Sequence, residues 1–368
     1  MQQRINLEFL VPKAAVVAAA FLGFSAIVQG QALPKGAPPV IRHAIPPAFS
    51  VRDTVSLLFF GDMMMHERQL SYDSRGFLEE LEPLIGSADY AVANAEFTLA
   101  GPPYKGYPRF SAPDSYAANL REAGFDLLLK ANNHILDRGS DGLRRTLLKT
   151  GGDYCGAGLD SLSYARHNPL IIRIKGLKIA FVNFTYGTNL GASTGWPAVS
   201  RMNKKEIARQ LKECGDADFV VVLPHWGEEY TLSHNSLQRE WAEFLVRNGA
   251  DAVIGAHPHT VQDREVIDGV PVFYSLGNTV SNMSAKNTRL GLAVMLRLVV
   301  STPDGALRLL EPELHFLWCC LPGKLADNYR VVEISERAGV RNAWKEPSDY
   351  DNMMLTYKRI LKETEINQ

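Results

Sequence analysis

The sequence has little cysteine. Only four of its 368 residues are cysteines, and none of them lies in a Cys-x-x-Cys pattern. Cys319 and Cys320 are neighbours and would not readily pair with each other. The four thiols are therefore interpreted as small buried apolar side chains rather than as a metal or redox motif.

An excess of charge of one sign is also absent. The chain has 39 basic and 40 acidic residues, so its formal net charge is -1. Nothing in this balance suggests a nucleic-acid footprint, and we predict no nucleic-acid partner. Hydrophobic residues make up 46% of the sequence, which is ample for a large core in one or two domains.

The N-terminal residues 1–32 have the pattern of an export signal. Arg4 and Lys13 precede an almost wholly apolar run at residues 14–28, and small residues follow up to Ala32. A cleaved signal peptide is the first interpretation, and an uncleaved membrane anchor is the alternative. Residues 33–54 contain five prolines and are predicted to be an extended linker. The protein is therefore predicted to be exported, facing the periplasm or the exterior.

From residue 55 onward, apolar segments typical of strands alternate with amphipathic segments typical of helices. Examples are the strand-like "VSLLFFGD", the helix-like "LQREWAEFLVRNG" and the strand-like "ADAVIGAHPH". This alternation predicts an α/β fold with a largely parallel or mixed sheet.

Five of the predicted strands end in polar residues. They end at Asp62, at Glu96, at Asn132-Asn133-His134, at His225, and at His257 and His259. In open α/β sheets, ligands bind just beyond the strand ends, so these residues are expected to converge. Carboxylates, an amide oxygen and imidazoles together suit a divalent ion such as Mn²⁺, Fe²⁺, Zn²⁺ or Mg²⁺.

Each of these residues alone has a plainer explanation. Asp62 could cap a helix, the asparagine pair could form a turn, and His225 could be a satisfied core histidine. The coincidence of five polar strand ends favours a metal or catalytic site. His66, four residues after Asp62, stays an open candidate for the same site.

The order of these segments resembles that of the CapA-type poly-gamma-glutamate (capsule) biosynthesis proteins, in the calcineurin-like metallophosphoesterase superfamily. The resemblance rests on "LLFFGDMMM", "NAEFTLAG", "ANNHILDRG", "LPHWGEEY", "ADAVIGAHPHTVQ" and "PVFYSLGN". It implies a four-layer α/β/β/α sandwich with the metal site at the strand ends. The matching domain would span 55–282, strands in 283–335 would complete the sandwich, and 336–368 would be a tail with a helix.

The resemblance also implies roles for individual residues. The implied metal ligands are Asp62, Glu96, Asn133, His225, His257 and His259. His134 would act as general acid or stabilise the transition state. Met64 stands where the superfamily has a histidine, and Ala95-Glu96 replaces its usual Gly-Asp. One metal position is therefore short of a ligand, and the number of ions, one or two, stays open.

Further residues shared with the family lie outside the metal set. Asp137 is predicted to orient His134 for catalysis, although it could instead cap the next helix. Glu229 is a candidate base or substrate contact, although Glu228 and Glu229 could be a plain solvated pair. The remaining candidates for substrate binding are Trp226, Glu228, Tyr230 and Asn278.

Three functions are consistent with this sequence. The first is an exported, metal-dependent hydrolase or transferase acting on a cell-envelope polymer or its precursor, with poly-gamma-glutamate or capsule polymer implied by the resemblance. The second is a non-catalytic, membrane-associated accessory protein of a polymer synthase, with partner membrane proteins doing the chemistry. The third is a general exported phosphoesterase.

Overall fold

The structure, a computed structural model, describes residues 40–41, 54–191, 195–300 and 306–366. The predicted signal segment 1–32 lies outside the described residues, as does most of the predicted linker 33–54. Two linker residues, Val40–Ile41, instead form a short strand. In the described ranges, no helix combines the length and apolar character that a bilayer crossing requires.

The strands alternate with helices along most of the chain. In chain order the strands are β1 (Val40–Ile41), β2 (Thr54–Met63), β3 (Tyr90–Ala95), β4 (Leu127–Leu129), β5 (Asp153–Cys155), β6 (Ala157–Gly158), β7 (Leu170–Ile174), β8 (Leu177–Thr185), β9 (Ala198–Val199), β10 (Phe219–His225), β11 (Ala252–Ile254), β12 (Arg264–Ile267), β13 (Val270–Phe273), β14 (Asn278–Val280), β15 (Leu290–Val300), β16 (Leu307–Leu309), β17 (Glu313–Cys320) and β18 (Arg330–Glu333).

Eight α-helices lie in the described residues. They are α1 (Glu82–Gly86), α2 (Asp114–Glu122), α3 (Gly139–Lys149), α4 (Ser161–His167), α5 (Lys204–Glu213), α6 (Ser236–Arg247), α7 (Ile334–Arg337) and α8 (Pro347–Thr364). Helix α6 is amphipathic, because Trp241 and Leu245 are buried while Arg239 and Glu240 face solvent. Leu237, which the helical spacing also assigns to the apolar face, is exposed.

The first sheet has the order β1-β16-β15-β2-β3-β4-β5, with β14 also pairing with β2 and with β17 and β18 continuing from β15. Strands β2 to β5 run parallel to one another. Their carboxyl ends therefore meet at one edge of the sheet. Strand β15, from the C-terminal third, pairs antiparallel with β2 along Thr54–Phe60.

The second sheet has the order β12-β13-β11-β10-β8-β7. Its four inner strands β8, β10, β11 and β13 are parallel, and both edge strands are antiparallel. Strands β7 and β8 form an antiparallel hairpin whose turn contains Gly176. The carboxyl ends of the parallel strands again lie at one edge.

Alternation of apolar side chains along the strands explains how the layers pack. In β2, Val55, Leu57 and Phe59 join a buried cluster with Phe219, Val221 and Leu223 of β10, and this cluster is the core between the two sheets. The intervening residues of β2, Leu58 and Phe60, pack instead with Tyr116 and Leu120 of α2.

The second sheet has a helical layer on its own outer face. Val220 and Val222 of β10 pack with Ile207 of α5 and with Trp241 and Leu245 of α6. Helices therefore cover the outside of both sheets, and the predicted four-layer α/β/β/α sandwich is confirmed.

Residues 77–89, which have helical spacing, do not form one helix. Two 3₁₀ turns, Ser74–Phe77 and Glu79–Leu81, precede the short helix α1. Pro83 lies in the first turn of α1, where its missing N–H costs nothing, but it could not lie inside a longer helix.

Candidate metal centre

The polar strand ends predicted from the sequence lie together at the edge where the two sheets meet. Asp62, Glu96 and Asn133 come from the first sheet, at or just after β2, β3 and β4. His225 ends β10, and His257 and His259 follow β11. All six side chains are buried.

Backbone packing at Gly61 determines where Asp62 lies. The pairing of β2 with β3 shifts register between Phe60 and Asp62. The Asp62 N–H donates to the carbonyl oxygen of Gly277 at 2.9 Å. A Cβ atom on Gly61 would lie 1.9 Å from that same oxygen, so only glycine fits before the aspartate. Such irregularities are common beside active sites, where they redirect a side chain.

Asp62, Glu96 and His259 form the first group of potential ligands. The Nδ1 atom of His259 lies 3.1 Å from Asp62 Oδ2, and its Nε2 atom lies 3.8 Å from Glu96 Oε1. One ligand atom from each of the three residues lies within 4.8 Å of the others. Donor atoms about 2.0–2.3 Å from one shared ion have spacings of this order.

Asn133, His225 and His257 form a second group beside the first. His225 Nε2 lies 2.9 Å from Asn133 Oδ1, and the rings of His225 and His257 are 4.8 Å apart between centroids. Asn132 makes structural contacts instead, since its Oδ1 accepts the His134 N–H at 3.2 Å and its amide nitrogen donates to Ala95 O at 3.0 Å. Asn132 thus has a structural role, while the adjacent Asn133 is the candidate ligand.

Three buried atoms in these groups lack hydrogen-bond partners among the described residues: Oε1 of Glu96, Nδ1 of His257 and the amide nitrogen of Asn133. Leaving a buried polar atom unsatisfied typically costs about 1–3 kcal/mol, so each such atom calls for an explanation. The Glu96 and His257 atoms carry lone pairs that can bind an ion, whereas the Asn133 nitrogen is a donor. The residues present therefore fit a divalent ion.

The electrostatics of the centre also suit a cation. Burial, and next the negative charge of Asp62, raise the pKa of Glu96 well above its ordinary value. Burial, and next the neighbouring histidines, lower the pKa of His257 to about 3 and that of His225 well below its ordinary value. Although burial lowers the pKa of His259, the hydrogen bond to Asp62 and the charge of Asp62 raise it overall. Neutral imidazoles such as His225 and His257 can bind a metal ion without first losing a proton.

The loop after β11 has strained backbone. His257 and His259 have φ angles of 104° and 59°, in a region that residues other than glycine rarely adopt. Such strain persists only where the surroundings enforce it, and it concentrates at functional sites. This observation independently supports a role for the His-Pro-His segment.

His134 is held by Asp137. The Nδ1 atom of His134 lies 2.8 Å from Asp137 Oδ2, which also accepts the Phe110 N–H at 2.9 Å. The Nε2 atom is left facing the centre, 3.9 Å from Glu96 Oε1. The carboxylate therefore orients this imidazole, as the sequence predicts.

A cleft of about 330 Å³ opens over the centre. Its lining residues are Met64, His66, Tyr107, His134, Glu229, Tyr230, His259, Asn282, Met283, Ser284 and Ala285. Burial lowers the pKa of His66 to about 4, and its Nδ1 accepts the Asn282 N–H at 3.2 Å. The open candidate His66 thus forms part of the wall of the cleft.

The residues predicted to bind substrate lie in different environments. Tyr230 lines the cleft beside Glu229, whereas exposed Glu228 does not. Trp226 is fully buried in the layer under α6, and its indole N–H donates to Tyr274 O at 3.0 Å, so it does not face the cleft. Asn278 Oδ1 lies 3.0 Å from His259 Nδ1, within the first ligand group.

Asn94 belongs to the centre and was not identified from the sequence. Its amide nitrogen lies 2.7 Å from Asp62 Oδ1, 3.4 Å from Glu96 Oε2 and 3.2 Å from His225 Nδ1. Asn94 and Glu96 are two residues apart in an extended segment and so face the same side. A polar side chain inside the apolar strand β3 was the available signal.

The chain is similar in sequence to bacterial capsule synthesis proteins. Residues 56–283 match the family model described as "Bacterial capsule synthesis protein PGA_cap". The chain is 32% identical over 255 residues to the PGA biosynthesis protein CapA of Bacillus subtilis, covering 64% of this chain and 66% of that protein. It is 30% identical over 257 residues to the capsule biosynthesis protein CapA of Bacillus anthracis, covering 64% and 62%. The aligned region thus spans just under two thirds of the length of these relatives.

A solved phosphatase from Mycoplasma pneumoniae is also similar, with 15% sequence identity and a TM-score of 0.46. The similarity covers 72% of this chain and 93% of that one.

Proposed function

The chain belongs to the bacterial capsule synthesis protein family, and from this premise we propose that it is a metal-dependent hydrolase or transferase acting on poly-gamma-glutamate or a related capsule polymer. The named relatives from B. subtilis and B. anthracis are PGA and capsule biosynthesis proteins, which supports the choice of polymer.

One observation carries the proposal. Asp62, Glu96 and His259 converge from both sheets, and an oriented His134 faces the same carboxylate. Structural ion pairs do not need an imidazole held by its own carboxylate at the wall of an open cleft, whereas acid–base catalysis does.

The roles of the residues follow from their positions. Asp62, Glu96 and His259 would hold one divalent ion, and Asn133, His225 and His257 would hold a second if two are bound. An ion bound here would lower the pKa of a water ligand and polarise the oxygen of an ester or amide.

His134 would supply the proton to the leaving group. Asp137 accepts the hydrogen bond from Nδ1 and would stabilise the imidazolium form, whose Nε2–H would donate its proton to the leaving group and be replenished from water. Glu229 and Tyr230 line the opening and would contact the substrate around the reacting bond.

The test is a metal-dependent assay. Purified protein is stripped with chelator, reloaded with Mn²⁺, and assayed on a chromogenic phosphodiester and on gamma-glutamyl oligomers. We expect turnover only in the reloaded protein, and a loss of about 100-fold in His134→Gln with unchanged metal content. Inactivity on both substrates with the ion bound contradicts the proposal.

A non-catalytic accessory role is the second candidate, and one residue favours it. Met64 is buried, lines the cleft and replaces the histidine that the wider superfamily has at this position. A thioether is a poor ligand for Mg²⁺ or Mn²⁺, so the first group has one good ligand fewer. If His134→Ala preserves polymer production in cells while Asp62→Asn abolishes it, the accessory role gains over catalysis.

Export and membrane partners are further parts of the proposal. The apolar run at 14–28 supports a signal peptide or anchor, and a membrane-bound synthase is the expected partner. Intact mass of the protein recovered from the cell envelope separates the two cases, because cleavage near Ala32 removes the whole segment.

A further inference from the structure

Two cavities beside the metal cleft are lined by basic side chains. The 105–138 cavity, of about 210 Å³, is lined by Pro103, Lys105, Arg109 and Arg138. The 286–359 cavity, of about 160 Å³, is lined by Ser284, Ala285, Lys286, Asn287, Arg289, Trp318, Asn352, Thr356 and Arg359. Neither lining includes a carboxylate.

Among the described residues, the two arginines of the 105–138 cavity donate only to backbone oxygens. Arg109 Nε donates to Asp137 O at 3.3 Å, and Arg138 Nη1 donates to Pro103 O at 3.0 Å. Across the described ranges, neither arginine nor Lys105 forms an ion pair. Tyr107, which lies between Lys105 and Arg109 in the chain, lines the metal cleft. This cavity therefore adjoins the cleft.

In the 286–359 cavity, an ion pair neutralises Arg289, whereas Lys286 and Arg359 can still bind an anion. Arg289 pairs with Asp349 at 2.6 Å and lies 4.4 Å over the Trp318 ring. Arg359 donates to Asn287 Oδ1 at 3.0 Å and to Thr356 Oγ1 at 3.1 Å. In the part of the chain that the structure describes, neither Arg359 nor the exposed Lys286 has an ion-pair partner.

The loop that contains Ser284 and Ala285 lies between the 286–359 cavity and the metal cleft. Ser284 and Ala285 line both, so a ligand leaving the cleft past this loop meets Lys286 and Arg359. These residues lie beyond the region 56–283 that matches the family model. The feature is thus contributed by this chain's own C-terminal segment, including helix α8.

We propose that the two cavities bind carboxylates of one linear polyanion whose backbone crosses the metal cleft. A ligand with a single charged group would need only the ion itself, whereas two separate cationic cavities match a ligand with charges at intervals along its chain. Arginine and lysine in exposed positions orient such a ligand and speed its capture more than they tighten it. The substrate class is a polymer with one carboxylate in each repeat, and this choice rests on the proposed function.

Binding of a ten-residue gamma-linked glutamate oligomer tests the proposal. Affinity is measured by calorimetry with chelator-treated and with Mn²⁺-loaded protein, each at low and at moderate salt. The double variants Lys105→Gln/Arg109→Gln and Lys286→Gln/Arg359→Gln each remove one cavity's charge. Matched controls, Lys205→Gln/Lys212→Gln on α5 and Lys358→Gln/Lys362→Gln on α8, remove equal charge from exposed positions that line neither cavity.

Each cavity variant is expected to weaken binding about fivefold or more, with both controls within about twofold, and salt should shrink the difference. Metal content should stay equal in all proteins. Equal weakening in the controls, or undiminished binding of an oligomer with amidated carboxylates, overturns the proposal. Binding of oligo-thymidylate as tight as that of the oligomer overturns the substrate class.

The binding experiment also separates this inference from the proposed function. Cavity-dependent oligomer binding without any metal-dependent turnover supports the inference and removes the enzyme assignment. Metal-dependent turnover with an unchanged KM in both cavity variants supports the enzyme and removes the inference.

Discussion

The two sheets contribute chemically different groups to the same centre. The first sheet supplies the oxygen donors Asp62, Glu96 and Asn133, whereas the second supplies the imidazoles of His225, His257 and His259. Oxygen ligands alone would favour Mg²⁺ or Ca²⁺, and added imidazoles move the preference toward Mn²⁺, Fe²⁺ or Zn²⁺. The mixed chemistry of the centre therefore depends on the packing of the two sheets.

The oxygen half (Asp62, Glu96 and Asn133) and the nitrogen half (His225, His257 and His259) also differ in how burial shifts their pKa values. Burial and the charge of Asp62 raise the pKa of Glu96 well above its ordinary value, so the oxygen half resists holding two negative charges. Burial lowers the pKa of His257 to about 3 and that of His225 well below its ordinary value, so these two imidazoles are neutral, whereas the hydrogen bond to Asp62 raises the pKa of His259. An ion would relieve repulsion between the carboxylates of the oxygen half, while in the nitrogen half it would not have to displace a proton from His225 or His257.

The largest effect is expected from the oxygen half. Glu96→Gln removes the carboxylate that lies 3.9 Å from His134 Nε2 and 3.8 Å from His259 Nε2, and should weaken metal binding by at least about 100-fold. The variant also removes the carboxylate whose raised pKa favours a bound proton. Calorimetry in two buffers of different ionisation heat should therefore show fewer protons released per ion than in the wild type. Glu228→Gln, an exposed change outside the cleft, is the control. Equal affinities in both variants would remove Glu96 from the ligand set.

The nitrogen half should be the more tolerant one. His257→Ala is expected to weaken metal binding by about 10- to 100-fold, because Asp62, Glu96 and His259 remain. Elemental analysis then shows fewer ions per chain at equal added metal. His234→Gln, which alters a histidine paired with Asp263, should retain the wild-type content. A wild-type count in His257→Ala would mean that the second group holds no ion.

Adding an imidazole to the oxygen half should increase its affinity for the metal ion. Met64→His places a nitrogen ligand on the wall of the cleft, and about tenfold tighter metal binding is expected. Met64→Leu changes the packing without adding a ligand and should show no gain. If the two variants bind equally, the side chain at position 64 does not reach the ion.

The smallest effect is expected from Glu229, an acidic residue that belongs to the nitrogen half. Glu229 follows β10 of the nitrogen half, yet it brings a carboxylate to the cleft. Glu229→Gln should change kcat/KM about two- to fivefold, because the side chain is exposed to solvent. Its neighbour Glu228 lines no part of the cleft, so Glu228→Gln should match the wild type. The reverse order would show that substrate approaches from the other side of this loop.

Local sequence patterns were sufficient to predict the α/β fold and to identify polar strand ends that lie close together in the structure, whereas the ligand set stays a prediction. Each apolar run that ended in a polar residue corresponded to a strand end. The polar residues then lie close together because parallel strands place their carboxyl ends at one edge. The exceptions had two causes. Pro83 limits the helical pattern locally because proline lacks an N–H, whereas tertiary packing buries Trp226 in the core although it follows a predicted ligand.

Contacts between distant segments were beyond sequence reasoning. Asn94 looked like an isolated polar residue in a strand, and only the structure shows it between Asp62, Glu96 and His225. The cations of the 286–359 cavity come from a loop and from helix α8, about 70 residues apart, and no periodic pattern connects them. A distance in space between such positions depends on packing that composition and spacing do not encode.

Gly61, which precedes Asp62, is required by backbone packing. Its place is dictated by the Gly277 carbonyl, which leaves no volume for any side chain, and not by the reaction. A homologous sequence with Gly-Asn at this point would keep the sheet geometry while lacking the carboxylate. Between the two residues of this pair, the first is therefore a marker of architecture, and only the second is informative about chemistry.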